Sequence, residues 1–363
     1  MPDSPRSEDN KKLATQPTAA AVVPPAPNPA VRASAVSPAQ PARTSLKSIF
    51  NLIQNYGALT ALLLLLLFNI IVTRNFVTWE TLNINLTQVA TIVIVATGMT
   101  LVIATGGIDL SVGSLMAISG ALAPLIFLSK SGPFSQPVIG VTLAFILPVL
   151  AAGLFGLFNG MLVTRFQIQP IIATLILFIA GRGIAQVITN GNLQTFNNSA
   201  FQYIGMGRPL GIPFQVILMV VIVALAAYVL RKTVFGRFVL AIGGNEPAAR
   251  LAGVPVNRIK LMVYGISGLL AGISGLIVIS INSSSDANQV GQGMELDAIA
   301  AVAVGGTAFS GGRATIIGTL LGALIIQLIR YTLLANGVPD AAALVVKAAI
   351  IVLAVFLQNQ RPS

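Results

Sequence analysis

Between residues 57 and 357 the chain places ten apolar runs one after another, at 57–73, 86–105, 111–129, 138–164, 170–189, 213–230, 259–281, 296–307, 314–334 and 341–357. Crossing a hydrocarbon core takes ~20 residues of helix at 1.5 Å each, and inside that core each helix must satisfy its own backbone hydrogen bonds. The runs therefore predict an all-α, polytopic integral membrane bundle of about ten segments. The eighth run is too short to cross, and reads as a half-helix or as a span completed by its flanks. Charged residues make up only 9% of the chain, where a soluble domain carries about 25%.

The net charge of +11 does not mark a nucleic-acid binder, because the basic residues lie mainly in the N-terminal tail and in the loops between runs. There they act as topology signals and offer a docking surface. Segment 231–260 holds Arg231, Lys232, Arg237, Arg250, Arg258 and Lys260 against the single acid Glu246. The positive-inside rule puts this segment in the cytoplasm with Lys47, Arg165, Arg313 and Arg361, and with both termini. Glu80, Asp286 and Asp340 fall on the other side, with Arg74, Lys130 and Arg208 as a basic minority. Residues 1–48 are rich in Pro, Ala and Ser with no apolar period, which predicts a disordered cytoplasmic tail ahead of a transmembrane domain at 49–363.

Cys and His are absent. Without thiolate or imidazole the chain lacks the usual ligands for zinc, iron–sulfur clusters or copper, and a Ser-His-Asp or Cys-His site has no base. We therefore expect no catalytic residue, no metal site and no cofactor of its own.

Polar residues inside the runs mark where function is to be sought. "ATGGIDLSVGSL" (104–115) sets Gly106, Gly107, Asp109, Ser111 and Gly113 between two apolar stretches, and it has an echo 199 residues later, where Gly305, Gly306, Ser310 and Gly312 stand in "GGTAFSGG". Two such breaks form a parallel repeat of irregular backbone, of the kind transporters use to line a cavity or to change shape. Only the first break is charged, since Asp109 is matched by Ala308. Asp109 either caps the helix beginning at Ser111 or faces the pathway. Arg182, about 18 Å along its helix from Pro170, needs a partner, either Glu295 or Asp297, unless it reaches the headgroups. Gln88, Thr174 and Gln186 offer neutral donors and acceptors, to a hydroxylated solute or to neighbouring helices. Glycines 265, 268, 272 and 275 share one helix face, and glycines 156 and 160 lie four apart on another; both stripes read as close helix packing.

In the basic segment, glycines 243 and 244 read as a turn, Asn245 as an N-cap, Pro247 as a first-turn residue and Gly253 as a stop. A short helix, about 246–252, is expected to project from the membrane.

Three blocks carry a resemblance: "TLVIATGGIDLSVGSLMAISG", "AIGGNEPAARLAGVPVNRIKLMVYGISGLLAGISGLI" and "GMELDAIAAVAVGGTAFSGGRATIIGTLLGALIIQLI". In this order, over about residues 58–357, the chain resembles the permease subunits of bacterial ATP-binding-cassette monosaccharide importers. The match is to the ribose/xylose/galactose branch of the superfamily shared with branched-chain amino acid permeases. The resemblance implies a type II-like importer permease in the bacterial inner membrane, paired with a second permease subunit as a homo- or heterodimer. It implies a periplasmic sugar-binding protein that delivers the solute and a separate ATPase that binds ATP and Mg; this chain has no G-x-x-x-x-G-K-[ST] loop of its own. The short helix resembles the family's coupling helix, which implies contact with the ATPase through Asn245, Glu246, Ala249, Arg250 and Gly253. Where many members carry a second acid, this chain has Pro247. The alternatives are an ion-coupled secondary transporter of a small polar solute and an ABC permease for amino acids or nucleosides.

Overall fold

A computed structural model describes residues 57–352, except 130, 340, 347, 350 and 351 and the side chain of 133. The expected tail at 1–48, Lys47, Lys130, Asp340, Arg361 and much of the last run lie outside the described residues.

The described residues form an all-α bundle. In chain order the helices are α1 (Gly57–Val72), α2 (Trp79–Ala104), α3 (Val112–Phe127), α4 (Pro137–Thr164), α5 (Pro170–Thr189), α6 (Ser199–Met206), α7 (Phe214–Lys232), α8 (Val234–Gly244), α9 (Glu246–Leu251), α10 (Val256–Asn282), α11 (Met294–Val304) and α12 (Ile316–Ala335). Helices α2, α4, α5, α7, α10 and α12 are long and apolar enough to cross a membrane; α1, α3 and α8 are shorter apolar helices. At 11 residues α11 is only about 16 Å long, roughly half of a ~30 Å core.

Helix α2 is the most enclosed of the long helices and α7 the least. Outward-facing Leu64, Leu154, Ile179, Val220 and Leu225 are exposed, as expected where the surroundings are lipid rather than water. Helix α2 starts at Trp79, earlier than the apolar run at 86, because Thr78 caps it by accepting the Thr81 N–H (3.2 Å). Asn83 and Asn85 are carried in the helix by donating to the carbonyls four residues back, Trp79 (2.9 Å) and Thr81 (3.0 Å).

The glycine stripe on α10 works as spacing predicts, with two partners. A Cβ on Gly268 would lie 3.1 Å from Gly156 Cα of α4, and one on Gly272 would lie 3.0 Å from Val149 Cα. Gly275 faces Met116 of α3 instead. Small residues thus bring α10 into backbone contact with α4 and α3 at once.

Two features have no counterpart in the apolar pattern. Residues 234–244, expected to be loop, form amphipathic helix α8, capped by Thr233, whose hydroxyl accepts the Gly236 N–H (3.3 Å). At the end of the bundle away from α9, a two-residue antiparallel ribbon pairs Gln194 with Ser285 and Thr195 with Ser284.

Candidate functional site

The two breaks are one device used twice. Helix α2 ends as the Gly106 N–H bonds Ile103 O (2.8 Å) and the Gly107 N–H bonds Val102 O (3.1 Å), with Gly106 at φ +80°. Helix α11 ends as the Gly306 N–H bonds Ala303 O (2.9 Å) and the Thr307 N–H bonds Val302 O (3.2 Å), with Gly306 at φ +81°. Both are Schellman caps, in which a left-handed glycine lets the last carbonyls find donors. The structural register is therefore 200 residues, matching Thr105-Gly106-Gly107 to Gly305-Gly306-Thr307, and this corrects the 199-residue register of the Gly-Gly pairs. What repeats is the single glycine that must take positive φ, not the pair of letters.

The first break is tied to three neighbouring helices. Asp109 is fully buried. Its Oδ1 accepts the Ser111 N–H (3.0 Å) and hydroxyl (2.6 Å), and its Oδ2 accepts the Ser267 hydroxyl of α10 (2.8 Å). Asn159 of α4 donates to Ser111 Oγ (2.8 Å). Thr174 of α5 donates to Ile108 O (3.3 Å), and Ser114 donates to Leu177 O (2.9 Å). Three donors converge on the carboxylate, and charge-assisted hydrogen bonds of this kind are about twice as strong as neutral ones. Tyr264 presses its hydroxyl against Gly107, where a side chain would have no room. Gly113 is bare because the Gly291 carbonyl and Glu295 Oε2 occupy the space a Cβ would take. The second break has no acid and is held by Thr315, whose hydroxyl donates to Gly305 O (2.9 Å) and whose N–H bonds Thr307 Oγ1 (3.2 Å).

The breaks meet each other and the end of α8. The Gly312 N–H donates to Ala104 O (3.0 Å), giving the last carbonyl of α2 a partner from the second break. Gly243 fills the remaining space, and a Cβ there would overlap both Ala104 O and Gly312 N. A Cβ on Gly311 would lie 2.9 Å from Gly243 Cα and 3.0 Å from Gly106 N. Gly243 and Gly244 are thus not turn glycines, as their spacing suggests, but the last turn of α8, and Gly243 is glycine for close approach. Nothing in the periodicity marks it, because the approach is tertiary.

One residue beyond Gly244 the chain enters α9. Asn245 ends α8 and caps α9, its Oδ1 accepting the Ala248 N–H (3.0 Å). Gly253, at φ +80°, closes it as its N–H bonds Arg250 O (3.1 Å) and the Val254 N–H bonds Ala249 O (3.0 Å). Ala249 is buried and seats the helix, while Leu251, 91% exposed, points away from the bundle. Of the expected coupling residues, Asn245, Glu246, Ala249 and Gly253 build the projection and Arg250 lies on its surface. Leu251 is exposed on the same short helix, which sequence does not show.

Glu246 binds two cations of its own chain, Lys260 (2.6 Å) and Arg250 (3.1 Å). Partial burial raises its pKa, but the hydrogen bonds and charges of Lys260 and Arg250 outweigh that and hold the carboxyl below the usual range. A carboxyl with a lowered folded pKa stabilises above its unfolded value, ~4.3, and loses that contribution as pH falls through the folded value. Glu246→Gln should therefore loosen α9 at neutral pH, by about 1 kcal/mol or less for so exposed a network. Protection against amide exchange at Ala249 and Val254, taken relative to the unstructured rate at the same pH, should fall in the variant at pH 7, but in the wild type only below the ordinary carboxylate range. Equal exchange at pH 7 would leave the ion pairs without a role.

The other polar candidates do not gather into one site. Gln88 accepts from Gln327 of α12 through its side-chain oxygen, an interhelical bond. Gln186 donates to Asn288 Oδ1 (2.7 Å) at the end of the bundle away from α9. Arg182 hydrogen-bonds main chain rather than a carboxylate: its Nη1 donates to the carbonyls of Val290 (2.6 Å) and Ala287 (2.9 Å), and Glu295 acts on it through charge, without a hydrogen bond. The loop before α11 turns its carbonyls toward the guanidinium, and that supplies acceptors without bringing Glu295 into hydrogen-bond contact. Glu295 and Asp297 lie buried in the first turn of α11, where acids suit a helix N-terminus.

A family model described as branched-chain amino acid transport system / permease component matches residues 81–355. The chain is 41% identical over 312 residues to the ribose import permease protein RbsC of Escherichia coli (strain K12), covering 84% of this chain and 93% of that one. It is 40% identical over 332 residues to the galactofuranose transporter permease protein YtfT of the same strain, covering 88% and 94%. With the L-arabinose ABC transporter permease protein AraH of Azospirillum brasilense it shares 34% over 313 residues, covering 86% and 90%. No solved structure matches it.

Proposed function

The chain belongs to the family described as branched-chain amino acid transport system / permease component, and we propose that it forms the membrane pathway of an ABC importer for a monosaccharide, pentose or hexose. The relatives named for ribose, galactofuranose and L-arabinose support the sugar over an amino acid or nucleoside. A separate ATPase binds ATP and Mg and acts on α9, a periplasmic binding protein delivers the solute at the other end, and a second permease subunit completes the pathway. The chain crosses the inner membrane in about ten segments, with α11 as a half-helix and with α9 and both termini in the cytoplasm. Its basic 231–260 segment supports that orientation. The permease itself carries no cofactor and does no chemistry.

One observation carries the mechanism: Gly243, three residues ahead of α9, is wedged between Ala104 O and Gly312 N, so a push on α9 reaches both breaks directly. Packed contacts between backbones have discrete arrangements, and displacing this wedge requires the two glycine caps to move together. Uptake of labelled pentoses and hexoses should vanish when the partner ATPase is deleted, and should persist when an uncoupler collapses the proton gradient while ATP is maintained. Uptake that survives the deletion and fails with the uncoupler would make the chain an ion-coupled carrier.

A further inference from the structure

At the end of the bundle away from α9, a chamber of about 300 Å³ lies between the early turns of α2, the α6–α7 connection and the last turn of α10. That is the lower end of the ~300–1,000 Å³ range of small-molecule pockets. Gln215, in the first turn of α7, lines it and is fully buried. Its Nε2 donates to Gly205 O (3.0 Å), while its Oε1 has no hydrogen-bond partner among the described residues. Thr87 and Arg208 line the same chamber, and among the described residues no acid does.

These groups define a chemistry. A buried amide oxygen without a donor disfavours an anion and calls for an O–H or N–H; a threonine hydroxyl gives or accepts; a guanidinium only gives. A solute with several hydroxyls answers all three at once, donating to Gln215 Oε1 and accepting from Arg208. A larger cavity of about 500 Å³ between α1, α2 and α12 also holds a buried amide oxygen without a donor, that of Asn85, with Thr78, Thr81 and Gln327. Its walls, however, are mainly apolar side chains such as Leu62, Ile70 and Phe76 and among the described residues include no cation. We infer that the chamber around Gln215 is a subsite for a neutral polyhydroxylated solute on its way to the glycine breaks, an inference that rests on the sugar reading above.

The chain has no cysteine, so a single reporter thiol is unambiguous. Met206→Cys stands on the chamber wall, Ile281→Cys provides a second reporter there, and Tyr203→Cys, exposed and outside the chamber, is the control. Right-side-out vesicles carrying the whole transporter would be labelled with a membrane-impermeant methanethiosulfonate. A sugar the vesicles accumulate, at ten times its half-protecting concentration, should slow labelling of either wall reporter by about tenfold and leave the control unchanged. Adding Gln215→Leu should raise the half-protecting concentration by about tenfold, the worth of one buried hydrogen bond. Sugar accumulation without protection of either reporter, protection unaltered by Gln215→Leu, or stronger protection by a sugar acid or amino acid would each overturn the subsite while leaving the transport function standing. Vesicles that accumulate no sugar would instead remove the sugar reading, and this subsite with it.

Discussion

Gly243→Ala should cut sugar uptake by more than tenfold, whereas Gly244→Ala one residue on should transport nearly as the wild type does. A Cβ at 243 falls on the Ala104 carbonyl and the Gly312 N–H, both backbone atoms that cannot swing aside as a side chain would. The bond between them (3.0 Å) must lengthen or the end of α8 must back out. Overpacking of this kind costs about 1–3 kcal/mol, and leaving the last carbonyl of α2 without its donor costs about as much again. At about 1.4 kcal/mol per factor of ten, either term is enough to slow a conformational step tenfold or more. At Gly244 a Cβ meets nothing within 4 Å, and its backbone is helical, so alanine fits there. Uptake and protease resistance should be measured together. Both variants should reach the membrane intact, with transport lost only at 243. Equal loss at the two positions, or none at 243, would break the proposed link between α9 and the glycine caps.

The contrast between these neighbours shows what sequence can reveal in a chain so uniformly apolar. The long spans, the short helix at 246–251, its Asn245 cap and its Gly253 stop were all legible, because each rests on local rules of length and capping. Asp109, Ser111 and Thr174 stood out by being polar inside apolar runs, and they do meet at the first break. Ser267 and Tyr264 carry no local signal, since serine and tyrosine are ordinary in membrane helices and only packing brings them to Asp109 and Gly107. The same limit hid α8. Its apolar residues are interrupted by Arg237 and by three glycines, at 236, 243 and 244, which read as loop until their packing is seen. Arg182 was legible as costly but not as solved, because its partners are main-chain carbonyls, which every residue possesses.

Asp109→Ala should abolish most uptake, and Asp109→Asn should recover a large part of it. Alanine removes the acceptor for the Ser111 N–H, the Ser111 hydroxyl and the Ser267 hydroxyl at a site with no access to solvent. Each donor stranded there costs about 1–3 kcal/mol, so the first break loses its tie to α10 and the start of α3 loosens. Asparagine keeps Oδ1 for Ser111 and can turn its amide toward Ser267, which then accepts instead of donating. Among the described residues no cation touches the carboxylate, and both of its oxygens are already engaged within the chain. Geometry thus favours a capping and tethering role, for which shape and hydrogen bonding matter more than charge. A charge needed by solute or by gating would give the opposite pattern, with asparagine as poor as alanine, since a neutral amide cannot replace a carboxylate whose expense at membrane depth is repaid only by function. Uptake in the two variants, normalised to the amount inserted, separates the two roles. Asparagine matching alanine would move Asp109 from the frame of the break to the pathway itself.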